Sequence, residues 1–215
     1  MVTKTEGLIL KKIEYQESSL ILKIFTKDFG IISVIAKGAK SSKKSAYGIL
    51  RPLNFIEFQF YHQNNKTLFL LKDYQLKFAP DTKNFGIYKT SLAYFIVEVI
   101  SHSTSEELEP EPEKYEFVMS IFEYLKQHHV YSNFYLCFLI QYVRFLGFEI
   151  SSQLFSNQET ISIVEKLMIP DSMYQKIEIL PGQRKSIYQS LIHFYQFHIP
   201  NFKEIQSIQT LEMIF

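Results

Sequence analysis

The chain has 215 residues, 47% of them hydrophobic and 21% charged, a balance that supports a folded core and excludes a disordered chain. A single cysteine, Cys137, excludes an internal disulfide framework and any cysteine-based zinc cluster. The net charge of +1 hides an asymmetry: residues 1–80 hold 13 Lys and Arg against 6 Asp and Glu, and residues 81–215 hold 10 against 16.

The first 80 residues read as strands. The opening segment carries Leu8 and Leu10, then Ile13 and Tyr15, so its phase slips near Lys11 and Lys12, as a β-bulge there would make it do. Leu20, Leu22 and Ile24 form one apolar face, and Ile32, Val34 and Ala36 another, with turn chemistry between them at Asp28-Phe29-Gly30. Ile56, Phe58 and Phe60 alternate with Glu57 and Gln59, and His62 to Asn65 supplies the next turn. From Thr67 to Phe78 the pattern puts Leu68, Leu70, Tyr74, Leu76 and Phe78 on one face. Five short strands in this length fit a small barrel of the oligonucleotide-binding (OB) type.

After Pro80 the period becomes helical. Tyr88, Leu92, Phe95, Ile96 and Val99 share a face, as do Tyr115, Val118, Met119, Phe122 and Leu125, with Pro112 suited to a first turn. The acidic stretch from Glu106 to Glu113 reads as the solvated connection between them. Phe134 to Leu146 is apolar almost all round, a helix buried by its neighbours and stopped at Gly147. Ile187, Leu191, Phe194, Tyr195 and His198 form a further stripe ended by Pro200, and a short last helix follows Ser207. The expected class is α+β: an OB barrel over residues 1–80 and a helical bundle over residues 81–215. Lys4 and Glu6 precede only a short apolar stretch, and the segment from Phe134 to Phe148 is too short to span a bilayer, so a cytoplasmic protein with no membrane partner is expected.

Charge locates a candidate site. Lys37, Lys40, Lys43, Lys44 and Arg51 lie within one stretch rich in Gly and Ser, and Lys11 and Lys12 add to the same half. Lysines on a flexible loop can follow a phosphate backbone without demanding a base sequence, and Tyr15, Phe25, Phe29 and Tyr47 offer rings for stacking. The same pattern suits a solvated loop with its aromatics in the core. Catalytic signals are weak: Asp28-Phe29-Gly30 has no phosphate loop beside it, His128-His129 lacks metal-ligand spacing, and Cys137 lies on the most apolar helix. No enzyme, metal or cofactor is expected.

The stretch from Thr5 to Lys40 resembles the start of the RecO recombination mediators of bacteria. The likeness rests on Gly7, on Glu17-Ser18-Ser19-Leu20, on Phe25, Thr26 and Gly30, and on Ala36-Lys37-Gly38-Ala39-Lys40. Gly48, Leu50 and Pro52 fit a following Gly-x-Leu-x-Pro motif, Arg144 to Ile150 is similar to the family's end of a long helix, and His193 to Phe215 to its C-terminal signature. Many members carry a four-cysteine zinc module where residues 151–182 of this chain have neither cysteine nor histidine, so other packing must hold that segment. The resemblance implies single-stranded DNA binding and strand annealing by the barrel. It implies that the helical part meets RecR and the acidic C-terminal tail of single-strand-binding protein, and that a RecA-type recombinase is loaded as a result. Lys37 and Lys40 are the first candidates for phosphate contacts, followed by Lys43, Lys44 and Arg51. Arg144 is a candidate for the tail's carboxylate, although a helix-capping or intrabundle role suits it better. A scaffold that contacts proteins only is the competing expectation.

Overall fold

A computed structural model describes residues 1–40, 48–63, 66–80, 84–104 and 109–214. Five strands, β1 (Val2–Tyr15), β2 (Ser19–Thr26), β3 (Gly30–Ala36), β4 (Phe55–Tyr61) and β5 (Leu68–Phe78), close into a barrel in the order β1-β2-β3-β5-β4. All pairings are antiparallel except β3 with β5, which are parallel over Ser33–Ile35 and Leu68–Leu70. Alternation decides what goes inside: Leu20, Leu22, Ile24, Ile32, Val34, Ile56, Phe58 and Phe60 form one core, with Leu50 from the following segment inserted among them. Burying each of these side chains contributes about 1.5–3 kcal/mol.

The phase slip in β1 is a bulge, with the register against β2 shifting between Ile9 and Lys11. It frees the backbone of Ile9 to bond outside the β1–β2 ladder: Ile9 N–H donates to Asn54 O and Leu53 N–H donates to Ile9 O. The bulge is thereby latched to the segment that carries Leu50 and Pro52. At the β2–β3 turn Gly30 takes a positive φ, and the Thr26 hydroxyl donates to Gly30 O while accepting from Phe29 N–H.

One strand face departs from expectation. In β5 the inward residues are Phe69 and Leu71, so Leu68 and Leu70 point outward. A second register shift, opposite Gln59 and Phe60, then changes the phase, and Tyr74 and Leu76 come to pair with Phe58 and Ile56. A straight reading across Thr67 to Phe78 cannot register that shift.

Six helices follow among the described residues: α1 (Gly86–Ser103), α2 (Pro112–Gln127), α3 (Phe134–Tyr142), α4 (Gln158–Met168), α5 (Pro181–His198) and α6 (Ile208–Ile214). The chain forms two compact units, residues 1–84 with 104–126, and residues 85–103 with 127–215. In the first unit α2 packs on the barrel, where Tyr115 and Phe122 meet Phe25 and Phe55 at ring-centroid distances of 5.2–6.2 Å, and Lys27 pairs with Glu116. The expectation that all residues from 81 onward form one bundle differs here: α2 groups with the barrel because its apolar stripe is aromatic and faces Phe25 and Phe55.

In the second unit every residue of α3 is buried. A 3-10 turn over Val143–Leu146 continues it and ends at Gly147, which takes a left-handed φ of 81° and donates to Arg144 O. Residues 151–182 form two 3-10 turns flanking α4, whose N-terminus is capped by the Asn157 side chain. They are fastened to α3 by buried polar groups. The Asn133 amide donates to Ser172 O and Gln175 O and accepts from Ile177 N–H, and the Gln141 amide donates to Pro170 O. These bonds answer the need for other packing in a segment without cysteine or histidine.

Candidate nucleic-acid interface

The barrel's outer surface has two contrasting sides. On the side made by the first half of β1, β4 and the second half of β5, charges are paired, Lys4 with Glu57 and Lys77 with Glu6, and the Gln75 amide donates to Glu57. The Glu57 carboxyl is held below the usual carboxylate range, first by its bond from Lys4. The groove there is lined by Lys4, Glu57, Asp73 and Gln75, a mixture of both signs.

The other side is built by the second half of β1 with β2, β3 and the first half of β5. Lys11 stands directly across from Lys23, which stands across from Ser33, which stands across from Leu68. The next row along is apolar: Ile13 opposite Ile21, then Ile35, Leu70, Tyr61 and Val2 in turn around the barrel. All six are partly or fully exposed, and Ile13, Tyr61 and Val2 each leave about 40% or more of their surface in solvent. Beyond that row lie Tyr15 and the exposed Lys37. An outward apolar row, with Lys11 and Lys23 on one side and Lys37 on the other, is therefore set into a barrel whose other side is balanced.

The expected site residues separate in this geometry. Lys11 and Lys37 are exposed and form no ion pair among the described residues. Lys12 pairs with Leu22 and so lies on the opposite face of β1 from Lys11. Lys40 is engaged within the fold: its Nζ lies 2.9 Å from Glu14 Oε2 and 3.2 Å from Gln16 O. The Glu14 carboxyl is held below its usual range, chiefly by Lys40 and further by Lys12. Arg51 is exposed in the turn before β4, while Lys43, Lys44 and Tyr47 lie outside the described residues.

The ring candidates also divide. Phe25 is fully buried against Tyr115 and presents no face to solvent bases, and Phe29 is half-buried, edge-on to Phe60 at 5.6 Å. Tyr15 is exposed. Tyr61 and Lys23 complete the same face and were not among the expected residues. Register across β2-β3-β5-β4 would have found both, and register is what a single strand's alternation does not carry.

In the helical unit Arg144 is exposed, and its Nε donates to Gln141 O at 3.3 Å. Cys137 is buried, with its thiol pushed up by that burial and within 3.5 Å of the Ser172 hydroxyl, a packing position. No helix among the described residues is long and apolar enough to cross a membrane.

Comparison with known proteins converges on one family. The model for the Recombination protein O N terminal matches residues 1–79, and that for the Recombination protein O C terminal matches residues 85–153. Among curated relatives named DNA repair protein RecO, that of Flavobacterium psychrophilum is 28% identical over 240 residues, covering the whole of both chains. The Flavobacterium johnsoniae protein is 29% identical, again over the whole of both chains. That of Prosthecochloris aestuarii is 31% identical over 81% of this chain and 67% of its own length. A five-stranded OB-type barrel, the helices that follow it in the chain and these matches together establish that the chain belongs to the RecO family of recombinational DNA repair proteins.

Proposed function

We propose that this protein is a recombination mediator that binds single-stranded DNA, promotes annealing of complementary strands and helps load a RecA-type recombinase. The observation that carries the reading is the outward apolar row from Ile13 to Tyr61, flanked by the exposed Lys11 and Lys37, which form no ion pair among the described residues. Exposed lysines of this kind can neutralise phosphates and release their counterions, which favours binding of a polyanion. Phosphate contacts of this kind give affinity without sequence preference, which suits a protein acting wherever single strands arise.

Lys37 and Lys11 are the leading phosphate contacts in this reading, with Lys23 and Arg51 beside them. Lys43 and Lys44 belong to the same cationic stretch by sequence. The helical unit would receive RecR and the acidic tail of single-strand-binding protein, with Arg144 as one cation on its surface. The reaction is an exchange of non-covalent partners, so it requires no nucleophile, metal or cofactor, and the protein is not an enzyme. It would work in the cytoplasm, at the nucleoid.

The competing reading is a scaffold that touches proteins only. It offers no account of the outward apolar row flanked by Lys11 and Lys37. An annealing assay with complementary oligonucleotides, one pair bare and one pair coated with single-strand-binding protein, separates the two readings. Acceleration of both reactions supports the mediator. Co-precipitation with single-strand-binding protein and RecR in the absence of any annealing supports the scaffold.

A further inference from the structure

Strands β3, β5 and β4 enclose a groove of about 420 Å³ on the barrel's exterior, lined by Ile35, Leu68, Leu70 and Tyr61, with Lys37 and Lys66 at its margins. We infer that this groove is a base-binding subsite, in which a nucleobase of a single strand stacks on Tyr61 while Lys37 and Lys66 hold the flanking phosphates. The inference rests on the single-strand reading above and goes beyond it by naming where a base lies and which ring receives it.

Three observations favour a base over other occupants. The lining holds two lysines and no carboxylate, in contrast to the groove across the barrel that contains Glu57 and Asp73. The floor is apolar although it is an outer surface, because Ile35, Leu70 and Tyr61 share one cross-strand row, with Leu68 two residues along from Leu70. At the groove β3 and β5 are paired with one another over Ser33–Ile35 and Leu68–Leu70, so the backbone of that stretch is already engaged and does not offer a free edge to an extended peptide. An aromatic ring and aliphatic side chains between cations suit a planar base joined to phosphates, which needs a π-face and charge but no backbone edge.

The chain contains no tryptophan, which permits a direct test. In the full-length protein, Tyr61→Trp places a single indole in the groove, and its fluorescence is followed during titration with oligothymidylate and, separately, with heparin. The expected result is quenching by oligothymidylate, which brings bases, and none by heparin, which brings only charge. In parallel, Tyr61→Ala should weaken oligothymidylate affinity about tenfold, the scale of one lost stacking contact, with an unchanged salt slope and an unchanged thermal midpoint. Tyr61→Phe should restore most of the affinity. Lys37→Gln should do the reverse, lowering the salt slope by about 0.7. Wild-type binding with no quenching of the indole and no loss in Tyr61→Ala would overturn the base subsite alone. Failure of the wild-type chain to bind oligothymidylate at low salt would overturn the single-strand reading, and this inference with it.

Discussion

Lys40 is tied to Glu14, Nζ to Oε2 at 2.9 Å, across the β1–β2 turn. The lysine that sequence pattern ranks beside Lys37 thus has a partner already, and the two differ in what they can offer a phosphate. Lys40 also donates to the carbonyl of Gln16, a residue with a positive φ of 52°, so one side chain holds both the charge and the shape of the turn.

Releasing Lys40 should therefore strengthen DNA binding. Glu14→Gln is expected to tighten affinity for oligothymidylate a few-fold and to steepen the salt slope by about 0.7, one more phosphate contact. Lys40→Gln should cost less affinity than Lys37→Gln. Anisotropy titrations at several salt concentrations measure both effects, and equal losses for the two lysines would contradict this assignment.

Gly7 is a packing requirement of the barrel. A Cβ there would lie 2.5 Å from Ile24 Cγ2 and 2.7 Å from the Phe25 carbonyl oxygen, and backbone cannot yield as a flexible side chain can. Gly7→Ala should destabilise the barrel by about 2–3 kcal/mol, the range of overpacked sites. Chemical denaturation measures it, and a change of a few tenths of a kcal/mol would mean that β1 and β2 separate easily.

Asn133 plays a similar part in the helical unit. Its amide is fully buried and joins Ser172 O at 3.2 Å, Gln175 O at 3.1 Å and Ile177 N at 3.3 Å. Asn133→Ala leaves those backbone groups without their partner, at a cost of about 2–4 kcal/mol. Hydrogen exchange should report the loss first in residues 170–177, with the barrel strands still protected. Uniform loss of protection across both units would contradict a local anchoring role.

Three exposed ion pairs make a small, pH-dependent contribution to the fold. Glu14, Glu57 and Glu116 are held below the ordinary value of 4.5 by bonds from Lys40, Lys4 and Lys27 respectively. Carboxyls lowered on folding add stability that is present above 4.5 and is lost as pH falls through their lower folded values. The thermal midpoint should therefore hold steady from about pH 7 to 5 and decline below about 4.5, and Glu116→Gln should lessen that decline. A fall beginning between pH 7 and 6 would contradict this assignment.

Much of this was legible in the sequence. The strands, the bulge before Lys11, the turn glycine Gly30, Pro112 in a first turn and Gly147 as a stop all follow from local chemistry, and local chemistry is what one segment displays. The outward face was not. Leu68 and Leu70 look like core residues when their strand is read alone, and only pairing with β3 and β4 turns them outward beside Ile35 and Tyr61. Lys23, unremarkable among its neighbours in sequence, gains meaning from standing across from Lys11. The division between Lys37 and Lys40 likewise depends on Glu14, more than 20 positions away in the chain. For the same reason α2 could not be assigned to the barrel by periodicity, since its stripe suits any apolar partner.

The most direct test of the account is fluorescence anisotropy of labelled oligothymidylate with the full chain across a salt series. The account predicts binding at low salt that weakens steeply, with log affinity against log salt falling by about 0.7 for each phosphate contacted and a shallower slope in Lys11→Gln and Lys37→Gln. Absence of binding at low salt, or binding with a slope that neither substitution changes, would contradict the assignment of this face to single-stranded DNA.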